Sequence, residues 1–417
     1  MPDTNANPAR QPGATPNRRA FPEDYVRTGP DTLGGKYLRK FWHPVMRAQD
    51  LVKGRAQTIR ILSEEFTLYR GESGTPYITQ NRCPHRKVKL GVGWVEEDAI
   101  RCLYHGWKFG PSGECIERPA EVNTGNVHIK TYPTREFLGL IYGYFGEGAQ
   151  PAFPPYPAFE GEGIIEVMTA PFPCNHFQTF ENDFDIYHAM YTHSTGSIHG
   201  PNDSTRSERY LKLALEEKWE ETAYGVERTM PTMSGNGQNA AVCLMPSTVR
   251  INIPTFNEQA RFPGPRFRST YLTRAPVDDE NSIAFLTQLV PVVGKEAEEY
   301  TRLYDTLIEG RKSKPTPLQE MHAIFAGHKT LEDVKDHYLL VEIEDLLTQV
   351  SQGAIVDRSD EILGRSDYGV VLFRRIWARE MEALAKGEPT KAWQFMANPP
   401  EGLRNELFVN PNNIVAQ

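Results

Sequence analysis

The sequence predicts an α+β chain, in which an all-β N-terminal domain built round a four-ligand metal clamp is followed by a domain with an antiparallel sheet flanked by helices. Three observations carry this expectation. Short alternating apolar runs fill the first third, two Cys and two His stand in paired turns among them, and helical apolar spacing enters only further on. The 417 residues suffice for two domains. The expected boundaries are a flexible arm over 1–36, the β domain over 37–150 and the second domain over 151–417.

Taken in order, residues up to about Pro30 are rich in Pro, Asn, Ala and Thr and lack an apolar period, as a flexible arm would. TIRIL, FTLYR and PYITQ then alternate between EE and GESG breaks and read as an antiparallel meander, with His43 as a structural residue. Four prolines between Pro151 and Gly163 mark a linker. Beyond it GIIEVMTAPF reads as a strand and CNHFQTFENDFDIYHAMYTH as a helix. Alternating runs from Arg209 to Pro291 form a second sheet, and three helices follow within EAEEYTRLYDTLIEG, LEDVKDHYLLVEIEDLLTQVSQG and VVLFRRIWAREMEALAKG.

Composition removes several classes of function. A net charge of −8 without a basic stripe excludes nucleic-acid binding. The odd count of five cysteines, with Cys115, Cys174 and Cys243 scattered, argues against a disulfide framework and for a reducing, cytoplasmic setting. No basic-then-apolar leader is present, and the apolar stretch Phe137–Phe145 is too short to span a bilayer, so no membrane contact is expected. A glycine-rich strand-turn-helix fingerprint is lacking, so no flavin or nicotinamide site is expected in this chain.

The clamp lies between Asn81 and Pro119. Cys83 and His85 are one residue apart, Cys102 and His105 two apart, and 16 residues separate the pairs. Two thiolates on one iron and two imidazoles on the other define a Rieske 2Fe-2S centre. Zinc is the rival for the same four side chains, but its usual order places both Cys in one knuckle and both His on a helix. Here each knuckle carries one of each, and YHGWKFGPSGEC reads as strand, turn, strand. Gly91 and Gly93 relax the backbone between the knuckles, and Trp107 and Phe109 cover the cluster. The pattern CPH(x16)CLYHGWKF resembles the Rieske domain of bacterial ring-hydroxylating and demethylating oxygenases.

A second constellation lies in ENDFDIYHAMYTH. On one helix Asp185 and His188 share a face, but His188 and His193 diverge by about 140° at ~3.6 residues per turn, so His193 must leave the regular helix to chelate with His188. Histidines on an aromatic-rich helix also suit a packed core. The spacing Glu-Asn-x-x-Asp-x-x-His-x4-His resembles the mononuclear iron motif of the same oxygenases, which implies His188 and His193 as iron ligands. Two His and one carboxylate make the facial triad that leaves iron(II) positions open for dioxygen. In VEIEDLLTQVSQG an apolar stripe opposes Asp345, Gln349 and Gln352, a face that could equally be solvated. Asp-x3-Gln-x-x-Gln-Gly is similar to the carboxylate helix of the phthalate dioxygenase branch, which implies Asp345 as third ligand, with Glu344 and Glu342 as substitutes.

The resemblance also implies that Asp185 is a catalytic bridge, linking His188 to His105 of the neighbouring subunit in a homotrimer. It implies one Rieske 2Fe-2S cluster and one mononuclear non-haem Fe(II) per subunit, and dioxygen and a small aromatic molecule as substrates. Electrons would come from a separate reductase, with or without a ferredoxin. O-demethylation or hydroxylation of an aromatic carboxylate of the lignin-derived methoxy acid type is the favoured reaction, followed by cis-dihydroxylation and N-demethylation. From other classes, an electron carrier that never meets substrate would have no use for His188, His193 and Asp345, and a structural zinc module would be colourless. Arg250, Arg374 and Arg375 are candidate partners for a substrate carboxylate.

Overall fold

The structure, a computed structural model, describes residues 21–153, 162–194, 212, 215–231, 238–254, 261–265, 267–396, 400 and 403. Its mixed α+β architecture begins with three small antiparallel sheets. The alternating runs become Ala56–Ile61, Glu64–Arg70 and Pro76–Gln80, to which Thr131–Tyr132 adds a short edge. Between the first two strands Leu62 and Ser63 both adopt positive φ, 52° and 62°, the tight-turn geometry that suits a two-residue hairpin but strains residues with a Cβ. Main-chain bonds hold that turn in place: Leu62 N–H donates to Pro276 at 2.9 Å and Ser63 N–H to Val277 at 3.0 Å, tying the first part of the chain to the later sheet. A second sheet joins Trp42–Arg47, Leu140–Tyr144 and Thr134–Phe137, and a third, of Trp94–Glu96, Ala99–Arg101, Lys108–Phe109 and Cys115–Glu117, carries the clamp.

The later sheet has seven strands, all antiparallel, in the order Ile164–Phe172, Ser282–Val290, Phe267–Pro276, Thr248–Pro254, Gln238–Leu244, Gly225–Pro231, Lys218–Glu221. Helices Gly294–Arg311, Pro317–Phe325, Leu340–Val350 and Tyr368–Ala385 follow. Pro317–Phe325, which the apolar spacing did not reveal, opens with a capping box between Thr316 and Gln319 and with Pro at its start, a signal readable in TPLQ.

Four sequence expectations need correction. Residues 21–36, assigned to the flexible arm, are packed: Val26 is buried, Thr28 donates from its main chain to Asp279 at 2.7 Å, and Leu33–Leu38 forms a helix. The expected single helix from Cys174 to His193 is two short ones, His176–Glu181 and Tyr187–Tyr191, with Asp185 extended between them at φ −122° and ψ 116°. The expected helix from Leu331 begins only at Leu340, after one isolated turn at Glu332–Val334. Gly91 and Gly93 act by allowing close approach, since a Cβ on Gly93 would lie 2.1 Å from the Arg101 carbonyl oxygen. The linker's residues 154–161 and the expected strand start at Arg209 lie outside the described residues.

Among the described residues one apolar cluster joins the earlier and later parts of the chain, placing Tyr37, Ile61 and Ile141 together with Phe177, Phe373 and Trp377. A separate cluster surrounds the clamp with Tyr69, Leu90, Ile100, Phe109 and Ile129. Among the described residues no helix is long and apolar enough to cross a membrane.

Candidate metal centres and substrate cavity

The two clamp loops share one construction. The Cys83 N–H donates to the Val88 carbonyl at 2.9 Å and its carbonyl accepts from Lys87 at 3.0 Å; Cys102 repeats this with Trp107 at 2.8 Å and Gly106 at 3.1 Å. In each loop the residue four after the cysteine takes a left-handed turn, Lys87 at φ 62° and Gly106 at φ 73°. This local folding turns the cysteines inward and the histidines outward. Cys83 and Cys102 are buried, whereas His85 and His105 are exposed with ring centroids 4.6 Å apart. Trp107 stacks on His85 at 4.6 Å and 3°, and the Arg118 guanidinium lies over the same Trp107 ring, 4.4 Å from its centroid. Burial, with the neighbouring Cys102 adding to it, pushes the Cys83 thiol up to about 11. Two adjacent buried sulfurs, paired with two outward imidazoles, fit a cluster with one inner and one outer iron. Cys115, Cys174 and Cys243 are buried and unpaired elsewhere.

The second centre forms where the broken helix meets Leu340–Val350. One ligand atom from each of His188, His193 and Asp345 lies within 4.8 Å of the others. His193 reaches the group because it leaves helical geometry, at φ −95° and ψ 18°, within the turn Thr192–Ser194. Asn182 Nδ2 stands 3.2 Å from His188 Nε2 and donates to Asp345 Oδ1 at 3.4 Å, while Gln349 donates to the same oxygen at 3.2 Å. Gln178 Nε2 pins the two helical segments together through the Gln349 and Gly353 carbonyls at 2.9 and 2.8 Å. Gln352, by contrast, donates to the Thr348 carbonyl on the exposed side.

Sequence reasoning missed the role of Glu344. It is not one of the three grouped ligands; instead its Oε2 lies 2.9 Å from His193 Nδ1, deep in the protein. Burial alone would lower the basicity of His193, but the Glu344 hydrogen bond and the charge of Asp345 outweigh it and raise the pKa above its ordinary value. Two imidazoles and a carboxylate in a pocket that already favours positive charge fit a divalent iron. Asp185 does two things at once. Its Oδ1 accepts from the Tyr187 and His188 main chain at 2.7 and 3.3 Å, capping the second short helix, and its Oδ2 stands 3.8 Å from His188 Nδ1.

A cavity of about 320 Å³ opens beside this triad. Strand alternation builds its wall: Val249, Ile251 and Ile253 face it, as do Leu272 and Arg274, and Ala284, Leu286 and Gln288. The same period of two turns Arg250 to the opposite face, where it lies over Tyr271 at 5.0 Å. Arg374 is held by Glu181 and Glu361, and Arg375 is exposed, so none of the three arginines expected to meet a carboxylate lines the cavity. Arg274 and Arg311 do, the former committed to Asp183 through two bonds of 2.9 and 3.1 Å. A second cavity, about 360 Å³ between Trp42, Tyr224 and Trp393, has no His, Cys, Asp or Glu among the described residues that line it.

Residues 41–133 match the Rieske 2Fe-2S domain family. The chain is 28% identical over 386 residues to the 5,5'-dehydrodivanillate O-demethylase oxygenase subunit of Sphingobium sp., covering 88% of this chain and 81% of that one. It is 28% identical over 383 residues to the phthalate 4,5-dioxygenase oxygenase subunit of Pseudomonas putida, covering 86% and 84%. The fold is shared with NdmA of Pseudomonas putida CBB5, solved with caffeine, at TM-score 0.61 and 18% identity over 85% of this chain and 94% of that one. The chain is therefore an iron–sulfur oxidoreductase with a Rieske domain and a mixed α+β catalytic domain. More narrowly, it joins a Rieske domain to homology with the oxygenase subunits of aromatic O-demethylase and phthalate dioxygenase. The Rieske domain carries a 2Fe-2S cluster, and the oxygenase family carries a mononuclear non-haem iron in its catalytic domain.

Proposed function

We propose that this oxygenase subunit O-demethylates or hydroxylates an aromatic carboxylate, with Cys83, His85, Cys102 and His105 holding the cluster and His188, His193 and Asp345 holding the mononuclear iron. The single observation that carries the reading is the convergence of those last three side chains within 4.8 Å beside an apolar cavity. An electron carrier would need neither, and a structural zinc module would need no cavity. An iron held by His188, His193 and Asp345 would supply dioxygen activation.

The residues supply the rest. Asn182 and Gln349 orient the Asp345 carboxylate, and Glu344 fixes the tautomer of His193 so that Nε2 faces the metal position. The apolar wall of Ile251, Leu272 and Leu286 takes up a ring and keeps water from it. Arg311, whose guanidinium stacks on Tyr338 at 4.5 Å, brings positive charge to the same cavity and suits a carboxylate substituent.

The electron donor is a separate reductase, with or without a ferredoxin, and the assembly is a homotrimer. Exposed His85 and His105, flanked by half-exposed Leu103 and Tyr104, form a surface that suits burial against a second subunit. Asp185, partly exposed beside His188, is the complementary point on that subunit. Oxygen uptake by the holoprotein with a generic NADH-dependent reductase, across methoxylated, hydroxylated and unsubstituted aromatic acids, tests the reading. Uptake coupled to formaldehyde release from a methoxy acid is expected. Stimulation by none of the acids would overturn it.

A further inference from the structure

We infer that Glu342 is a specificity-determining residue that hydrogen-bonds a ring hydroxyl of the substrate, so that the enzyme selects phenolic aromatic acids over their deoxy and O-methyl analogues. The inference rests on the reading of the cavity as the substrate site.

Glu342 stands in the first turn of Leu340–Val350, three residues before Asp345, so the two carboxyls share one side of the helix and both line the cavity. Their fates differ. Asp345 is held by Asn182 and Gln349, whereas the Glu342 carboxyl makes no hydrogen bond or ion pair with any described residue. Burial, with the charge of Asp345 second, pushes its pKa up to about 7, a measure of how poorly the protein alone solvates this carboxylate. A half-buried carboxyl that lines a cavity without a protein partner is costly unless something that enters the cavity supplies one.

The neighbours say what that is. Arg274 is spent on Asp183, and Arg311 is stacked on Tyr338, so the protein's own cations leave Glu342 to the ligand. The apolar part of the same cavity's lining, with Ile251, Leu272 and Leu286, fits a flat ring. An ammonium group would meet the positive charge of Arg311 in the same cavity, which favours an anionic ring. A neutral O–H satisfies the carboxyl without adding charge. The recognised class is thus an aromatic acid bearing a hydroxyl.

Binding of 4-hydroxy-3-methoxybenzoate, 3-methoxybenzoate, 3,4-dimethoxybenzoate and 3-methoxybenzylamine to the anaerobic holoprotein, by isothermal titration calorimetry, tests this. The wild type should bind the phenol about 10- to 100-fold more tightly than 3-methoxybenzoate, the range expected of one hydrogen bond to a charged group. In Glu342→Ala that preference should vanish while 3-methoxybenzoate binds as before, and Glu342→Gln, which keeps an acceptor, should restore part of it. Iron content and cluster absorbance serve as folding controls. A hydroxyl preference that survives in Glu342→Ala, or tightest binding of the amine, overturns the assignment of Glu342 while leaving the aromatic oxygenase reading in place. Binding of none of the four overturns both.

Discussion

Glu344 Oε2 lies 2.9 Å from His193 Nδ1, so a buried carboxylate and not a solvent molecule engages that nitrogen and leaves Nε2 on the side of His188 and Asp345. The arrangement also explains how one helix supplies both a candidate ligand and the partner of another. Adjacent residues on Leu340–Val350 point about 100° apart, which lets Asp345 face the cavity while Glu344 reaches behind it. The other Glu344 oxygen is buried without a partner among the described residues, so the carboxylate is poorly served except by His193.

Removing that carboxylate should therefore loosen the metal without emptying the cluster. Glu344→Ala is expected to lower iron affinity by about 10- to 100-fold, read by chelator competition, while Glu344→Gln, which keeps an acceptor, falls less. His188→Ala, His193→Ala and Asp345→Ala should each abolish product formation with the cluster spectrum intact. Near-normal iron in Asp345→Ala together with complete loss in Glu344→Ala would show that the third ligand is one residue earlier.

At the clamp, Cys102→Ala should lose the cluster colour and its electron paramagnetic signal, because each buried sulfur has no substitute nearby: Cys115 belongs to the strand Cys115–Glu117 with its Sγ directed at the Glu117 carbonyl, 3.5 Å away. Metal analysis of the wild type should give iron and acid-labile sulfide in a 3:2 ratio, from one 2Fe-2S cluster and one mononuclear iron per chain. Survival of a Rieske signal in Cys102→Ala would refute the ligand set.

Much of this was legible in the chain because the chemistry of the clamp is local. Cys83, His85, Cys102 and His105 sit in two short loops whose geometry is set by residues within five positions. The triad was legible in part. His188 and His193 carry a spacing, and the need for His193 to leave the helix could be computed from the period, but the break at Asp185 could not, since nothing in NDFDIY marks an extended residue. Asp345 was readable only by resemblance: it and Glu344 look alike in sequence, and what separates them is which side of the helix faces a sheet far away in the chain. The same reason hid the cavity arginines, because Arg250 and Arg274 differ only in the phase of their strands.

The Arg274 guanidinium and Asp183 carboxylate form a pair whose side chains are 4% and 7% exposed, close behind the triad. Breaking one partner of a buried pair leaves an uncompensated charge, which costs about 3–5 kcal/mol. Asp183→Asn should accordingly lower the denaturation midpoint strongly, and Arg274→Met with Asp183→Leu should recover much of the loss. Additive effects of the two substitutions in chemical denaturation would show that the pair is not coupled.

Two histidines away from the metals should make the protein acid-sensitive. Burial lowers His43 to about 4, although its ring bonds the Leu38 carbonyl at 2.8 Å, and lowers His176 to about 3. Both are neutral in the folded state but protonate near about 6.5 when unfolded. The unfolded state therefore binds more protons below that pH, and stability should fall as pH drops from about 6.5 towards 4 and on towards 3. His43→Asn should flatten the thermal midpoint against pH in this window relative to wild type. An identical slope in the variant would assign the acid sensitivity elsewhere.

Asp185 poses the question of how electrons cross. One oxygen caps the helix that carries His188 and the other stands 3.8 Å from that histidine's Nδ1, while the side chain remains about a quarter exposed. A carboxylate needed only as a cap could be replaced by Asn at little cost, since Asn caps equally well. A carboxylate that bridges His188 to His105 of a neighbouring subunit could not, because an amide presents a donor where two imidazole N–H groups also donate. Asp185→Asn should hence load both metal centres and sediment as the wild type does, yet slow reoxidation of the reduced cluster by orders of magnitude when it is mixed rapidly with substrate and oxygen. An unchanged rate would leave Asp185 as a cap alone, and full activity in a monomer would remove the cross-subunit route altogether.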